Sequence, residues 1–444
     1  MSTMLSAPGL DAASVRAGHG EHLFPCETRF YAEPLVLARG EGVWVWDTEG
    51  RQYLDLFAGI LTTSLGHCHA EVVERVREQA GSLGHISTLY LNENEVEAAR
   101  RLAAIAPGRL RRTFFTNSGT EAVETAVLLA MMYTGRSEII ALRHGYSGRS
   151  TMATNLTGHA PWRPLPSSVP GIKHVVSPNP YRCPFGSPCD ERCVDAFARD
   201  FEDMILTATN GAPAAFMAET IQGVGGYVVP PPGYFQRMLE IVHRYGGLFI
   251  CDEVQAGFGR TGRHWFGIEH WDVEPDIMVM AKGIANGLPV GATITRDEIA
   301  AAWTAKTIST FGGNPLTMAA MIATNEVMVR ENVPALAETR GAQLRTGLQE
   351  LQRRHSWIGD VRGMGLMQAL ELVEDPATKK PAPSLAKALL EATKAEGLLV
   401  GVGGMHGNVI RIGPSLLITE GEMADALDRF GRACRAVESR RPAS

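Results

Sequence analysis

Aromatic residues are scarce in this 444-residue chain, at 7%. Basic residues are not in excess, and no apolar run approaches the ~18 residues that a membrane span requires. Each shortage excludes something. Forty-two Lys and Arg against forty-eight Asp and Glu give a net charge of −6, which argues against a nucleic-acid-binding footprint. The missing apolar run argues against a membrane partner. Residues 1–25, which include Pro8, Asp11, Arg16, His19, Glu21 and His22, hold no continuous hydrophobic stretch, so no signal peptide is expected. Cysteine is sparse and odd in number, seven in all, with Cys26, Cys68, Cys251 and Cys434 scattered. That suits a reducing cytoplasm better than a disulfide framework. Internal repeats and low-complexity tracts are also missing.

What is present is glycine, 47 residues, and enough hydrophobic content (45%) to build a core rather than a disordered chain. Many glycines with few aromatics suggest the tight turns and close backbone approaches of α/β enzymes. Residues 1–25 read as a loose arm. Leu35–Leu56 alternates apolar and polar residues around a turn at Asp47–Gly50, a β-meander. Helical periodicity follows at 69–83 and 92–106. Short apolar runs then recur at Thr113–Thr116, Ile139–Leu142, Ala214–Ala218, Leu248–Cys251 and Ile277–Met280, with helical segments at Ala122–Tyr133 and Tyr234–Tyr245. Such alternation predicts an α/β fold with a largely parallel, buried sheet. Residues 160–193 lack any period and read as a long surface excursion. Beyond about residue 325 come helices at Ala335–Arg354 and Ser384–Glu396, a strand near Gly363–Leu372 and a terminal helix from Glu420. The expected division is an arm and meander (1–60) belonging to a small α+β domain, a large domain (61–325), and the rest of the small domain (326–444).

Four local signals carry chemistry. Thr116–Ala122 is a small polar turn between a strand and a helix; it can cap the helix, or its free amides can hold a phosphate. Leu248–Gln255 is an apolar strand ending in Asp252 and Glu253, where open α/β sheets bind ligands. A carboxylate there can be a helix cap, a metal ligand, a general base or the partner of a cationic heterocycle. Met278–Gly287 places Lys282 at the end of another apolar strand. A lysine there either snorkels to solvent or, desolvated, becomes a nucleophile. Ser309–Pro315 is a glycine-rich turn opening a helix. Together, a phosphate cradle, a carboxylate and a lysine at strand-to-helix junctions describe a site for pyridoxal 5′-phosphate (PLP), which needs all three.

The segments GHCHAEV (66–72), TNSGTEA (116–122), HGYSGRS (144–150), AETIQGVGG (218–226), CDEVQAGFGRTG (251–262), MAKGIANGLPVGA (280–292), STFGGNP (309–315) and VIRIGPSL (409–416) occur in that order. In this the chain resembles a class III, ω-amino-acid type, PLP-dependent aminotransferase of fold type I. The resemblance implies that Lys282 is the Schiff-base lysine and that Asp252 pairs with the pyridinium. It implies that Ser118, Gly119 and Thr120 hold the phosphate, and that Thr310 reaches the phosphate of a neighbouring subunit's cofactor in a homodimer. Tyr146 takes the place of the stacking aromatic residue, Val254 and Gln255 lie beside the ring, and Glu219 fills the first acidic position of the segment around Gln222–Gly223.

Relatives that use 2-oxoglutarate often carry a second glutamate five residues further on, paired with a C-terminal arginine. Here that position is Val224, while the arginine survives as Arg411. The pattern is similar to alanine:glyoxylate and β-amino-acid:pyruvate aminotransferases. It implies pyruvate or glyoxylate as acceptor and alanine or a β- or ω-amino acid as donor. Arg149, three residues after Tyr146, resembles the arginine that grips a distal carboxylate in 4-aminobutyrate aminotransferases, so a 2-oxoglutarate-using enzyme of the 4-aminobutyrate or ornithine type is the alternative; an aminomutase or decarboxylase would share Lys282 and Asp252. Ser147 replaces the family's more usual histidine. Tyr90 and Ile60 are expected near the substrate entrance. Cys183, Cys189 and Cys193 could bind zinc with a fourth ligand such as His174, but neither interval is the short C-x2-C knuckle. They are read as a plain loop, and no metal is assigned.

Overall fold

Strands buried on both faces need apolar residues at every position rather than at alternate ones, and the short apolar runs meet that need. In the computed structural model, which describes residues 11–440 other than 187, 188 and 190, they form a seven-stranded sheet. Its spatial order is Arg112–Thr116, Gly291–Thr295, Ile277–Met280, Leu248–Asp252, Ala215–Glu219, Ile139–Leu142 and Ile172–Val175. Gly291–Thr295 runs antiparallel to both neighbours, and the other adjacent pairs are parallel. The expected α/β class with a mostly parallel sheet is what the chain adopts.

Alternate residues of one strand serve opposite faces. Leu248 and Ile250 pack with Ile139, Ala215, Ile277 and Val279 against Ala122 and Ala126 of the helix Gly119–Thr134. Phe249 and Cys251 pack on the other face with Phe216, Met278, Met280 and Phe235 of the helix Tyr234–Arg244. Each such side chain contributes roughly 1.5–3 kcal/mol on burial. The pairing also sets the site, because it aligns Glu219 with Asp252 and Asp252 with Val279 at the C-terminal edge.

The meander forms as expected from Leu37–Glu41, Trp44–Asp47 and Gln52–Asp55. The Asp47 carboxylate accepts the amides of Glu49 and Arg51 in its turn. Leu398–Leu399 adds in parallel to Leu54 and Asp55, so both ends of the chain share one sheet. A third sheet orders Ile358–Met364, Met367–Leu372, Val409–Ile412 and Gly401–Gly403, and carries Arg411.

Three expectations need correction. The loose arm contains a helix, Ala12–His22, capped by Asp11 through a 2.7 Å bond from the Ser14 amide; residues 1–10 lie outside the described residues. The excursion at 160–193 contains Ile172–Val175, the edge strand of the main sheet, whose half-buried polar residues hide it from an apolar-run criterion. The excursion also runs into an unanticipated helix, Glu191–Ala208, which sets Val194, Phe197, Ala198, Phe201 and Ile205 into the core at helical spacing. In addition, the strand near Gly363–Leu372 is a hairpin turning at Gly365, which has φ +50.

Candidate active site

The C-terminal edge of the sheet opens on a cavity of about 220 Å3. Ten of the anticipated residues wall it: Ser118, Gly119, Thr120, Tyr146, Arg149, Glu219, Asp252, Val254, Gln255 and Lys282. Ser147, noted from sequence for replacing a histidine, also lines it, and Gly148 and Ala281, which were not singled out from sequence, complete the lining. Gly148 had a legible signal in HGYSGRS. It sits at φ +131, and a Cβ there would lie 2.5 Å from the Thr120 hydroxyl.

The turn at 116–122 is both cap and cradle. Ser118 caps the helix Gly119–Thr134, accepting the Glu121 amide at 3.4 Å while facing the cavity. Gly119 and Thr120 begin the helix, so their amides have no intrahelical acceptor and lie where an anion is stabilised. The Thr120 hydroxyl has another task. It accepts the amides of Arg149 (3.2 Å) and Ser150 (3.0 Å) and pins the loop that carries Tyr146.

Glu219 is a fastener too. One oxygen accepts the Tyr146 amide at 2.9 Å, and the other accepts the Gly223 amide at 2.8 Å. Burial and the neighbouring Asp252 push its carboxyl up to about 8. Asp252 accepts the Val254 amide at 3.0 Å; burial raises it to about 6, against the opposing pull of that amide and of Lys282. Successive strand residues point opposite ways, so Glu253 of the same acidic pair faces away and accepts the Thr220 hydroxyl and the Gly267 and Ile268 amides.

Lys282 is half-buried and its backbone is left-handed, φ +50, a conformation that costs a non-glycine residue on the order of 1 kcal/mol. Burial pulls its ammonium down to about 8, with Asp252 and Glu219 resisting. Gly283 follows because the chain passes Ser64 too closely for a side chain: a Cβ would sit 2.3 Å from the Ser64 hydroxyl.

Arg411 does not line the cavity, although its charge acts on Lys282 and Glu219. It is buried and donates to the carbonyls of Gly223 (3.3 Å) and Val402 (3.1 Å), with Phe57 and Tyr227 rings 5.1 and 5.8 Å from the guanidinium. Its Nε has no hydrogen-bond partner among the described residues. Val224 is buried nearby and offers only its carbonyl, to Gly404. Arg149 is exposed at the cavity mouth. Thr310, Tyr90 and Ile60 are also exposed and lie outside the cavity.

The family model for class-III aminotransferases matches residues 28–434. The chain belongs to that family. This aminotransferase is 41% identical over 424 residues to alanine–glyoxylate aminotransferase 2 homolog 2, mitochondrial, of Arabidopsis thaliana, spanning 95% of this chain and 87% of that protein. It is also 41% identical to the acetylornithine aminotransferase of Methanopyrus kandleri, over 91% and 95% of the two chains. Among solved structures, a PLP-bound amine transaminase from an uncultivated Pseudomonas species superposes with a TM-score of 0.87 at 31% identity, covering 93% and 98%. The fold is therefore fold type I, and the protein is a PLP-dependent enzyme that transfers an amino group between an amino acid and a 2-oxo acid.

The residues of this aminotransferase fit the cofactor on two independent grounds. Glu219 and Asp252 stand together on the cavity wall, and burial raises both carboxyls, so a protonated ring nitrogen placed between them would favour their charged forms. The Gln255 Oε1 on the same wall is buried without a hydrogen-bond partner among the described residues.

Proposed function

We propose that this aminotransferase takes its amino group from alanine or a β- or ω-amino acid and passes it to pyruvate or glyoxylate. The observation that carries this reading is Arg411, a buried guanidinium whose hydrogen bonds among the described residues go to backbone carbonyls, with Val224 where an acidic side chain would compete for it. An arginine in that state is available to any substrate carboxylate, in the fork geometry that guanidinium and carboxylate share. The similarity to an alanine–glyoxylate aminotransferase 2 homologue supports the same choice.

We assign the roles as follows. The amides of Gly119 and Thr120 and the Ser118 hydroxyl would hold the cofactor's phosphate, Asp252 its ring nitrogen, Gln255 its phenolic oxygen, and Tyr146 and Val254 the two ring faces. When bound, PLP supplies an electron sink for the carbanion formed at the substrate carbon. The Asp252 carboxylate keeps a proton on the ring nitrogen. Lys282, with an ammonium that gives up its proton near pH 8, would remove the proton from the donor's carbon and return it to the cofactor carbon that had carried the aldehyde. Arg411 orients the carboxylate so that this proton faces the lysine, and Glu219 holds the Tyr146 and Gly223 loops in place.

A second reading keeps 2-oxoglutarate as acceptor. It is favoured by Arg149, which makes no ion pair among the described residues and can take a distal carboxylate at the cavity mouth, and by the similarity to an acetylornithine aminotransferase. The purified holoenzyme decides between them. Donors are added singly while the visible absorbance of bound cofactor is followed, and the bleached enzyme is then offered oxo acids. Recovery with pyruvate or glyoxylate but not 2-oxoglutarate supports the first reading, and recovery with 2-oxoglutarate refutes it.

We further propose a homodimer. Leu89, Tyr90, Leu91, Ile308 and Phe311 expose apolar side chains around Thr310, and Thr88 and Ser309 join the two loops that carry them. Such a patch marks an interface, and Thr310 would then face the partner's phosphate. Residues 61–325 act as the cofactor-binding unit in this reading, and the cysteines, all outside disulfides, suit a cytoplasmic setting.

A further inference from the structure

The transamination site makes no use of three cysteines that the fold gathers at the start of the helix Glu191–Ala208. Cys183 and Cys189 lie on the loop leading to the helix Glu191–Ala208, and Cys193 is in that helix's first turn. Their sulfurs all lie within 4.8 Å of one another, with Cys183 and Cys193 3.4 Å apart. A tetrahedral zinc with Zn–S bonds of about 2.3 Å holds its sulfurs about 3.8 Å apart. Shifts of under about an ångström therefore bring the three to ligating distance. From sequence, zinc was one alternative to the plain loop, set aside because the intervals of five and three residues are not those of a zinc knuckle.

The surroundings hold the cluster in place. Upstream, the Arg182 guanidinium donates to Glu371, and Lys379 donates to the Tyr181 carbonyl at 2.8 Å. Gly186, at φ +135, turns the loop. Downstream, Cys193 is buried beside Phe197 in the core. The cluster is apolar on the core side, and burial raises the Cys183 and Cys189 thiols. As thiols they offer one another only weak hydrogen bonds, whereas a divalent soft cation can bond to all three sulfurs at once. His174, the fourth ligand considered from sequence, gives its Nε2 to the Leu156 carbonyl at 3.0 Å and is not part of the group.

We propose that Cys183, Cys189 and Cys193 form a zinc site with water in the fourth position, open to solvent beside the half-buried Cys183 and Cys189. Three S–H protons leave and three Zn–S bonds form, with no change of oxidation state. The metal clips the loop to the first turn of the helix Glu191–Ala208, closing an 11-residue segment.

The test uses full-length holoenzyme, reduced and then stripped with a chelator. Cobalt(II) is titrated in, and the red absorption of tetrahedral cobalt thiolate is read clear of the cofactor's bands. One cobalt per chain, displaced by added zinc, is the expected result. Cys189→Ser and Cys183→Ser should each weaken cobalt binding by about tenfold or more, while the exposed Cys26→Ser leaves it unchanged. Fully reduced wild-type protein that takes up no cobalt overturns the proposal. So does cobalt bound equally well by the Cys183→Ser and Cys189→Ser variants.

Discussion

Replacing Arg411 with methionine removes a buried cation while nearly preserving side-chain length. Two guanidinium-to-carboxylate hydrogen bonds contribute about 1.5–3 kcal/mol each. Against this, the wild-type arginine weakens its bonds to the Gly223 and Val402 carbonyls, at 3.3 and 3.1 Å, when it turns to substrate; each is worth about 1 kcal/mol. The net loss is about 1–4 kcal/mol, or roughly 5- to 1,000-fold in kcat/KM for alanine. An amine without a carboxylate, such as 1-phenylethylamine, never uses these bonds and should lose little. The assay is pyruvate-dependent turnover of both donors by wild type and variant, with cofactor content equalised. The loss should fall on alanine alone and be largest in KM. Equal losses for the two donors, or none for alanine, would refute a carboxylate-binding role for Arg411.

Lys282→Ala should lower turnover by about 10³-fold or more while PLP stays bound noncovalently, so that borohydride no longer fixes it to the chain; undiminished turnover would remove the lysine from the chemistry. Burial brings the Lys282 ammonium down to about 8, and only the neutral amine attacks an aldehyde. The rate at which apoenzyme takes up PLP should therefore climb with pH and level off just above 8, whereas a climb continuing to pH 10 would signal an ordinary lysine. Gly148→Ala places a Cβ 2.5 Å from the Thr120 hydroxyl at a positive φ. It should cost about 2 kcal/mol or more of stability and weaken PLP retention, measured by thermal unfolding and equilibrium dialysis.

What was legible in the sequence is what local chemistry dictates. Leu248–Asp252 and Ile277–Met280 are apolar at each position because both faces are covered, and a run of that kind announces itself. The turns at 116–122 and 280–287 are legible because strand-to-helix junctions with small residues, an acid or a lysine have few other uses, and the cavity gathers them as expected. Ile172–Val175 escaped because an edge strand has one open side and tolerates lysine and histidine. Gly291–Thr295 escaped because small residues suffice between two neighbours. The side-chain assignments lay further out of reach. That the Thr120 hydroxyl serves a loop, that Glu253 turns from the site while Asp252 turns into it, and that Arg411 rests on carbonyls all depend on contacts between residues far apart in the chain. The same holds for the three cysteines, whose spacing reads as a plain loop until a helix that no apolar run announced brings Cys193 beneath the other two. Local composition determines which segments fold and what chemistry they carry. Partner and direction for each polar group are decided only when the tertiary structure takes water away and leaves each one the neighbours the packing supplies.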